Sequence, residues 1–252
     1  MDRGQAYQYV CELLKVMLTQ KSSDLFITAN YPPAMKIDGK MTKVGPQNLS
    51  AAHTLALVKS VMSDKQIEEF EATKECNFAI SPSGIGRFRV NAFIQQGSAG
   101  MVMRVIPTEL PTIDGLGAPQ ILKEVVMSKR GLCILVGGTG SGKSTTLAAM
   151  VDYRNEHSFG HIITIEDPVE FVHPHKNCVV MQREVGIDTD SWEVALKNTL
   201  RQAPDVILMG EIRDAETMEH AMAFAETGHL CLATLHANSA NQAIDRIINF
   251  FP

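Results

Sequence analysis

The sequence lacks the features that mark membrane, secreted or nucleic-acid-binding chains. No apolar run among its 252 residues approaches the roughly 20 residues needed to cross a bilayer. The stretch from Met1 to Val10 has neither the basic start nor the apolar centre of a secretion signal. The formal net charge of -5 gives no electrostatic footprint for nucleic acid. We therefore expect a cytoplasmic protein with no nucleic-acid partner.

The cysteines argue against a protein stabilised by disulfides and against one built around a cysteine-bound metal cluster. The five cysteines are scattered, odd in number and free of any C-x-x-C pair. This spacing suits buried, reduced thiols better than disulfides or a metal cluster. What the chain does have is an apolar fraction of 45%, which is typical of a globular protein with a core, and enough length for one large domain or two ordinary ones.

The pattern of predicted elements changes once along the chain. Residues 1–106 mix short strands with helices, two of them capped by Ser50 and Asp64, which predicts a small α+β domain. The Pro- and Gly-rich stretch 107–119 has neither the helical nor the strand spacing of apolar residues. It is the predicted linker. Residues 120–252 alternate strands and helices, which predicts an α/β domain whose parallel sheet is covered by helices on both faces.

The second domain contains a phosphate-binding motif. The apolar run 132–136 leads into GGTGSGKS at 137–144 and then into a helix-forming run, which is G-x-x-x-x-G-K-[ST] in its strand-then-helix setting. The alternative is a glycine-rich turn that binds no phosphate. The predicted strand before the loop and the predicted helix after it both disfavour this alternative. Lys143 is predicted to reach the β- and γ-phosphates, and Ser144 to ligate Mg²⁺. The residues expected to bind the nucleotide phosphates are Gly138, Thr139, Gly140, Ser141, Gly142, Lys143, Ser144 and Thr145.

Polar residues follow three apolar strands of the second domain, at what should be one edge of the sheet. Glu166 ends the first of these strands, where a carboxylate can orient or deprotonate the attacking water. Glu211 follows the second and is the candidate for holding Mg²⁺, directly or through water. His236 follows the third, where it can sense the γ-phosphate. Each residue alone also suits a turn or a strand end, but the set favours hydrolysis over passive nucleotide binding.

Arginines on the first domain's last two strands are candidates for the positive charge that hydrolysis requires. Lys143 rarely suffices for this task without an arginine, supplied in cis or by a neighbour. Arg87, Arg89 and Arg104 lie on the polar side of the strand alternation. A solvated or salt-bridged strand face is the alternative for each of them.

The chain resembles the PilT/PilU group of secretion ATPases, the motors that retract type IV pili. The resemblance covers nearly the whole chain and rests on the phosphate loop and three further stretches: TIEDPVEF at 164–171, DVILMGEIRD at 205–214 and ETGHLCLATLHAN at 226–238. It implies an N-terminal PAS-like domain followed by a RecA-like P-loop ATPase domain. It also implies ATP and Mg²⁺ as cofactors and a hexameric ring of identical subunits.

The resemblance further implies roles for individual residues and partners. Glu166 matches the catalytic carboxylate, Glu211 the Walker B acid and His236 the box histidine. Arg89 and Arg104 match the arginines that the family's first domain offers to the γ-phosphate. The implied partners are an inner-membrane platform protein of the pilus and a PilT-like ATPase, which would place the protein on the cytoplasmic side of the inner membrane at the pilus base.

Several stretches resemble the PilU branch, the accessory retraction motors, more than the PilT branch: SDLFITA, ECNFAIS, GIGRFRVNAF and GHLCLATLHAN. Family chains continue past residue 252 with a helical C-terminal part, so we expect this sequence to be truncated there. The favoured function is an ATP-hydrolysing subunit that drives or assists pilus retraction. The alternative is a nucleotide-binding accessory ring protein with little turnover of its own. A GTPase is disfavoured because the sequence has no N-K-x-D motif.

Overall fold

The computed structural model of the chain describes residues 1–107 and 109–252. The chain divides into two compact units, Met1–Ile106 (unit 1) and Pro107–Pro252 (unit 2). The predicted linker includes Thr108, which lies outside the described residues. Within the described ranges, no helix is both long enough and apolar enough to cross a membrane.

Unit 1 combines helices with an antiparallel sheet. Its elements are α1 (Arg3–Thr19), β1 (Asp24–Ile27), β2 (Ala34–Ile37), β3 (Lys40–Lys43), α2 (Ala51–Ser60), α3 (Asp64–Thr73), β4 (Glu75–Ile80), β5 (Arg87–Gln95) and β6 (Ser98–Ile106). The strand order is β3-β2-β1-β6-β5-β4, with every neighbouring pair antiparallel. Phe88, Val90, Met101 and Met103 on β5 and β6 are buried in the same core as apolar residues of α1 and α2. The alternation in the sequence therefore separates a core face from a polar face.

The helix caps of unit 1 agree with the sequence in one case and correct it in another. Ser50 caps α2 as predicted, since its side chain accepts a hydrogen bond from the His53 N–H. The prediction for α3 was wrong by one residue, because the N-cap is Ser63 and not Asp64. Ser63 and Gln66 each accept a hydrogen bond from the other's backbone N–H. This reciprocal pair satisfies two N–H groups that the helix cannot, which a single acid in the first turn would not do.

Unit 2 is built on a parallel sheet, as predicted. Its elements are α4 (Ile121–Met127), β7 (Gly131–Val136), α5 (Lys143–His157), β8 (His161–Glu166), β9 (Val179–Glu184), α6 (Trp192–Thr199), a 3-10 turn (Leu200–Gln202), β10 (Val206–Met209), α7 (Ala215–Glu226), β11 (Leu230–Leu235) and α8 (Ala240–Ile248). The strand order is β7-β11-β10-β8-β9, and all pairs are parallel. All five strands therefore end at the same edge.

Apolar side chains cover both faces of this sheet. On one face, Ile162 and Leu232 share a core with residues of α4 and α5. On the other, Ile163 and Cys231 share a core with residues of α6, α7 and α8. The prediction of helices on both faces is confirmed, and it follows from strands that are apolar at successive positions.

The connection from β8 to β9 departs from the usual parallel arrangement. These strands are neighbours, yet the segment 167–178 between them contains no helix. The buried side chain of Asn155 on α5 holds the end of this segment. Its Oδ1 accepts from the backbone N–H groups of Lys176 and Cys178, and its Nδ2 donates to the Pro174 carbonyl. Asn155 thereby fixes the end of this return segment, 167–178, just before β9 begins.

Candidate functional site

The predicted strand, glycine loop and helix are all present. β7 ends at Val136 and α5 begins at Lys143, with Gly142 as its N-cap at φ +90°. Gly140 has φ +75°. These backbone angles lie in the left-handed region, which glycine adopts without steric cost. The loop can therefore wrap tightly ahead of the helix N-terminus, the geometry that favours phosphate binding.

The ammonium group of Lys143 lies against the loop. Its Nζ donates to the carbonyl oxygens of Gly137 at 2.9 Å and Gly138 at 2.8 Å. Because an ammonium has three donors, a phosphate oxygen can join these two contacts. Thr146 adds a hydrogen bond of 2.8 Å from Oγ1 to the Gly142 carbonyl, which ties the first turn of α5 to the loop.

A pocket of about 220 Å³ lies where β8, β10 and β11 end. Its lining includes seven of the residues predicted for the site: Thr139, Gly140, Lys143, Ser144, Glu166, Glu211 and His236. The prediction did not single out several other lining residues, among them Glu170, His173, Trp192, Arg213 and Thr234. Four further residues predicted to bind the phosphates, Gly138, Ser141, Gly142 and Thr145, belong to the loop and the first turn of α5. The structure thus brings the phosphate loop and all three predicted strand-end residues together in one pocket of unit 2.

Two side chains hold Glu166 through the same carboxylate oxygen. Thr164 Oγ1 donates to Glu166 Oε1 at 2.6 Å, and Gln182 Nε2 donates to the same atom at 3.2 Å. The residue as a whole is only half-buried, but its carboxyl group is desolvated. Desolvation raises the pKa of Glu166, and hydrogen bonds from Thr164, Gln182 and the Glu170 backbone N–H oppose the rise. The charge of the Glu170 side chain adds to the rise. A raised pKa makes the carboxylate a better proton acceptor.

Glu211 lies between a histidine and an arginine. His236 Nε2 is 3.5 Å from Glu211 Oε1. Arg213 donates from Nε to Glu211 Oε2 and from Nη1 to Asp167 Oδ2, both at 3.3 Å, and its guanidinium lies over the Trp192 ring, 5.6 Å from the centroid. Arg213 therefore joins acids from two neighbouring strand ends. It stands in the stretch DVILMGEIRD, but nothing local in the sequence shows that an arginine there turns towards the acids.

Gly210 brings the ends of β8, β10 and β11 close together. A Cβ at this position would lie 3.3 Å from the Glu166 Cα. The Gly210 N–H donates to the Ile165 carbonyl at 2.8 Å, and the Gly210 carbonyl accepts from Thr234 Oγ1 at 2.5 Å. The Ile212 N–H donates to the Thr234 carbonyl at 2.9 Å. Hydrogen bonding thus continues past the strand ends and fixes the residues on either side of Glu211.

The pocket also contains oxygen ligands suited to Mg²⁺. Ser144 supplies a hydroxyl and Glu211 a carboxylate to the same lining. Across the described residues, no cluster of three or more His, Cys, Asp or Glu side chains could hold a metal ion on its own. Mg²⁺ is commonly bound through one or two protein oxygens, with phosphates and waters completing its octahedron. The residues present therefore fit a Mg²⁺ ion that enters with a nucleotide.

The two predicted arginines lie in unit 1. Arg89 on β5 is directly opposite Arg104 on β6, and both side chains are exposed. Arg104 Nε donates to Oδ1 of Asp24 at 2.8 Å, and Asp24 is buried. Arg104 thus takes part in a salt-bridged strand face, which was the alternative that the sequence left open.

Known proteins similar to this chain include ATPases of type IV pili. The family model described as type II/IV secretion system protein matches residues 1–251. The type IV pilus ATPase PilU of Pseudomonas aeruginosa is 61% identical over 96% of this chain and 63% of its own length. The type IV pilus retractation ATPase PilT of the same organism is 46% identical over 96% of this chain and 71% of its own length. A crystal structure of the pilus retraction motor PilT with bound ADP has a TM-score of 0.92 at 44% identity, over 96% of this chain and 71% of that one. This chain therefore spans less than two thirds of the PilU relative.

Proposed function

Because the chain belongs to the type II/IV secretion system protein family and is of the PilT/PilU type, we propose that it is a Mg²⁺-dependent ATPase acting in type IV pilus retraction. The observation that carries this proposal is the pocket of unit 2, which places Glu166, Glu211 and His236 beside the phosphate loop. The ADP bound to the PilT motor of similar structure supports nucleotide binding at this loop.

Each residue of the pocket has a role in this proposal. Lys143 and the N–H groups of the loop bind the β- and γ-phosphates. Ser144 and Glu211 would hold Mg²⁺, which would neutralise charge on the phosphate oxygens when bound. Glu166 accepts a proton from the attacking water, for which its desolvated carboxylate is suited. His236 contacts Glu211 and so can respond to the presence of the γ-phosphate.

The assembly forms a second part of the proposal. Unit 1 is PAS-like and unit 2 is RecA-like, the stretch 107–119 is the hinge between them, and six copies form a ring. Arg89 and Arg104 then reach the γ-phosphate in a neighbouring subunit. Their arrangement supports this role, since Arg89 and Arg104 lie directly opposite one another with exposed side chains and can contact one anion together. The proposed setting is the cytoplasmic base of the pilus, with a platform protein and a PilT-like ATPase as partners.

ATP turnover of two variants tests the proposal. Lys143→Ala and Glu166→Gln should each lower turnover by about a hundredfold or more. ADP binding should be lost in Lys143→Ala and retained in Glu166→Gln. Lys197→Ala and Glu193→Gln, which make matching changes at exposed positions of α6, should behave as the unchanged protein. Native mass should increase to that of a hexamer when an ATP analogue is added.

Three results would contradict parts of this proposal. Full turnover in either site variant would remove the role assigned to that residue. A persistent monomer would leave Arg89 and Arg104 without the neighbouring site they are proposed to complete. Tight ATP binding with negligible turnover in the unchanged protein, restored by a PilT-like partner, would favour the accessory function instead.

A further inference from the structure

We propose that Thr164 and Gln182 are positioning residues, which hold the Glu166 carboxylate by Oε1 and thereby present Oε2 to the attacking water. This inference rests on the proposed ATPase function. It assigns the residues that orient the Glu166 carboxylate, the proton acceptor of the proposed reaction. Three observations support it. They are the register of β8 with β9, the two side-chain donors on the same oxygen of Glu166, and the other hydrogen bonds of the Gln182 amide.

Strand register places the three side chains on one face of the sheet. Thr164 and Glu166 are two residues apart on β8, so their side chains point to the same side. Gln182 lies directly opposite Thr164 in the parallel pairing of β8 with β9. Ile162 and Val180, two residues earlier on each strand, are buried in the core that includes residues of α5. The same row of side chains is therefore apolar in the core and becomes polar at the pocket.

Both hydrogen-bond donors act on the same carboxylate oxygen. The distances to Glu166 Oε1 are 2.6 Å from Thr164 Oγ1 and 3.2 Å from Gln182 Nε2. In the described part of the chain, no side chain donates to Oε2. The backbone N–H of Glu170 also interacts with the carboxylate. The two side-chain donors on Oε1 restrict rotation of the carboxylate and leave Oε2, which has no side-chain donor, to accept a proton. Because Thr164 is 0% exposed, solvent cannot replace its hydroxyl.

The orientation of the Gln182 amide is set by the return segment. Its Oε1 accepts from the His173 N–H at 2.7 Å, and its Nε2 donates to the Phe171 carbonyl at 2.8 Å. Turning the amide over would place its oxygen against the Phe171 carbonyl and the Glu166 carboxylate, which are all acceptors. The backbone of the return segment therefore keeps an N–H group directed at Glu166.

The consequence is a fixed direction for proton transfer. The water oxygen forms a bond to the γ-phosphorus while the bond from phosphorus to the β–γ bridging oxygen breaks, and ADP leaves with that electron pair. One water proton passes to Glu166 Oε2, and the other stays on the released phosphate. A carboxylate free to rotate would spend time with neither oxygen aligned to the water, and restricting that rotation raises the rate of the chemical step.

A matched pair of substitutions at Thr164 tests the inference. Thr164→Val keeps the shape of the side chain but removes the hydroxyl, whereas Thr164→Ser keeps the hydroxyl and removes a methyl group. We expect kcat to fall by about tenfold in Thr164→Val, the effect of losing one hydrogen bond to a charged group. KM for ATP and the affinity for ADP should stay unchanged, and Thr164→Ser should keep most of the activity.

Gln182→Glu is an independent test at a half-buried position. It keeps an acceptor for the His173 N–H but replaces the amide donor with an oxygen that repels Glu166. We expect kcat to fall at least as far as in Thr164→Val, again with ADP affinity unchanged. This variant decides the question if Thr164→Val does not fold.

The outcomes separate this inference from the proposed function. Normal kcat in Thr164→Val or Gln182→Glu, with Glu166→Gln inactive, would overturn the positioning role and leave the ATPase proposal standing. Equal losses in Thr164→Val and Thr164→Ser would also overturn it, because they would indicate a packing role. Full turnover in Glu166→Gln would instead remove the proposed proton acceptor itself.

Discussion

The two units of this chain place their charged groups in opposite ways. In unit 2 all strands run in one direction, so the polar residues that follow β8, β10 and β11 meet at one edge and line one pocket. In unit 1 neighbouring strands are antiparallel, and Arg89 and Arg104 face each other on the exposed side of the sheet. Parallel strands thus gather the polar residues of unit 2 at one edge, whereas the antiparallel strands of unit 1 leave its two arginines on an exposed face.

The cores of the units differ as well. Unit 1 has one apolar cluster, which joins its sheet to α1 and α2. The described residues of unit 2 form two such clusters, one on each face of its sheet. Because each cluster draws its residues from a single unit, we expect the units to be stabilised separately.

Truncating one core side chain in each unit tests whether the units are stabilised separately. Phe88 in unit 1 is 0% exposed and Phe224 in unit 2 is 1% exposed. Truncation to Ala should cost about 3–5 kcal/mol in the unit that carries it, through lost burial and the cavity left behind. Calorimetry should show one lowered transition in each variant, and Phe88→Ala should keep its affinity for ADP.

Phe159→Ala serves as the control for this experiment. Phe159 is 85% exposed, so its truncation should change stability by less than about 0.5 kcal/mol. If Phe88→Ala lowered both transitions together and abolished ADP binding, the two units could not be treated as separate cores.

The sequence was sufficient to predict much of unit 2 because its signals are local. A strand, a glycine loop and a helix that are contiguous in sequence must also be contiguous in space, and strands that run parallel must end at one edge. Glu166, Glu211 and His236 were found in this way. The helix boundary at Ser63 was missed because two adjacent residues, Ser63 and Asp64, are both good caps, and only the contact with Gln66 decides between them.

The contacts that complete the pocket could not be predicted from the sequence, because they join residues that are far apart along the chain. Gln182 reaches Glu166 only through the register of β8 with β9, two strands that no helix connects. Arg213 donates a hydrogen bond to Asp167, which lies 46 positions earlier in the sequence. Periodicity identifies which residues face the core, but it does not give the order in which strands pair.

Acid should destabilise unit 2, because this unit buries the imidazole of His173 in the lining of its pocket. Burial lowers the pKa of His173 to about 4, against about 6.5 for an unfolded chain. The unfolded state therefore binds a proton first as the pH falls. The stability that His173 contributes is fully present above about pH 6.5 and is lost towards pH 4, with about 2 kcal/mol gone by pH 5.

Urea unfolding at pH 7 and pH 5 measures this difference. His173→Gln should lose less stability between the two pH values than the unchanged protein does. His53→Gln, at an exposed position of unit 1, should not alter the pH dependence. An identical acid response in His173→Gln and in the unchanged protein would contradict the assignment of this pH dependence to His173.

The smallest expected effect concerns the start of α3 in unit 1. Ser63→Ala removes the side chain that caps the helix and should cost about 1 kcal/mol. Asp64→Ala removes a dipole interaction and an exposed pair with Arg3 at 3.2 Å, and should cost less than about 0.5 kcal/mol. Thermal unfolding of both variants gives the order, and a larger loss in Asp64→Ala would restore the cap first predicted from the sequence.

Gly210 sets a requirement for any attempt to transplant this site into a designed scaffold. Copying Lys143, Glu166 and Glu211 would reproduce the chemical groups without the spacing between their strands. Any side chain at the glycine position would press on the Glu166 backbone, and engineered sites tolerate errors of only about 0.5 Å. The smallest transferable part is therefore the ends of β8, β10 and β11 with the hydrogen bonds between them. In this part Gly210, which has no side chain, is as necessary as Glu166 and Glu211.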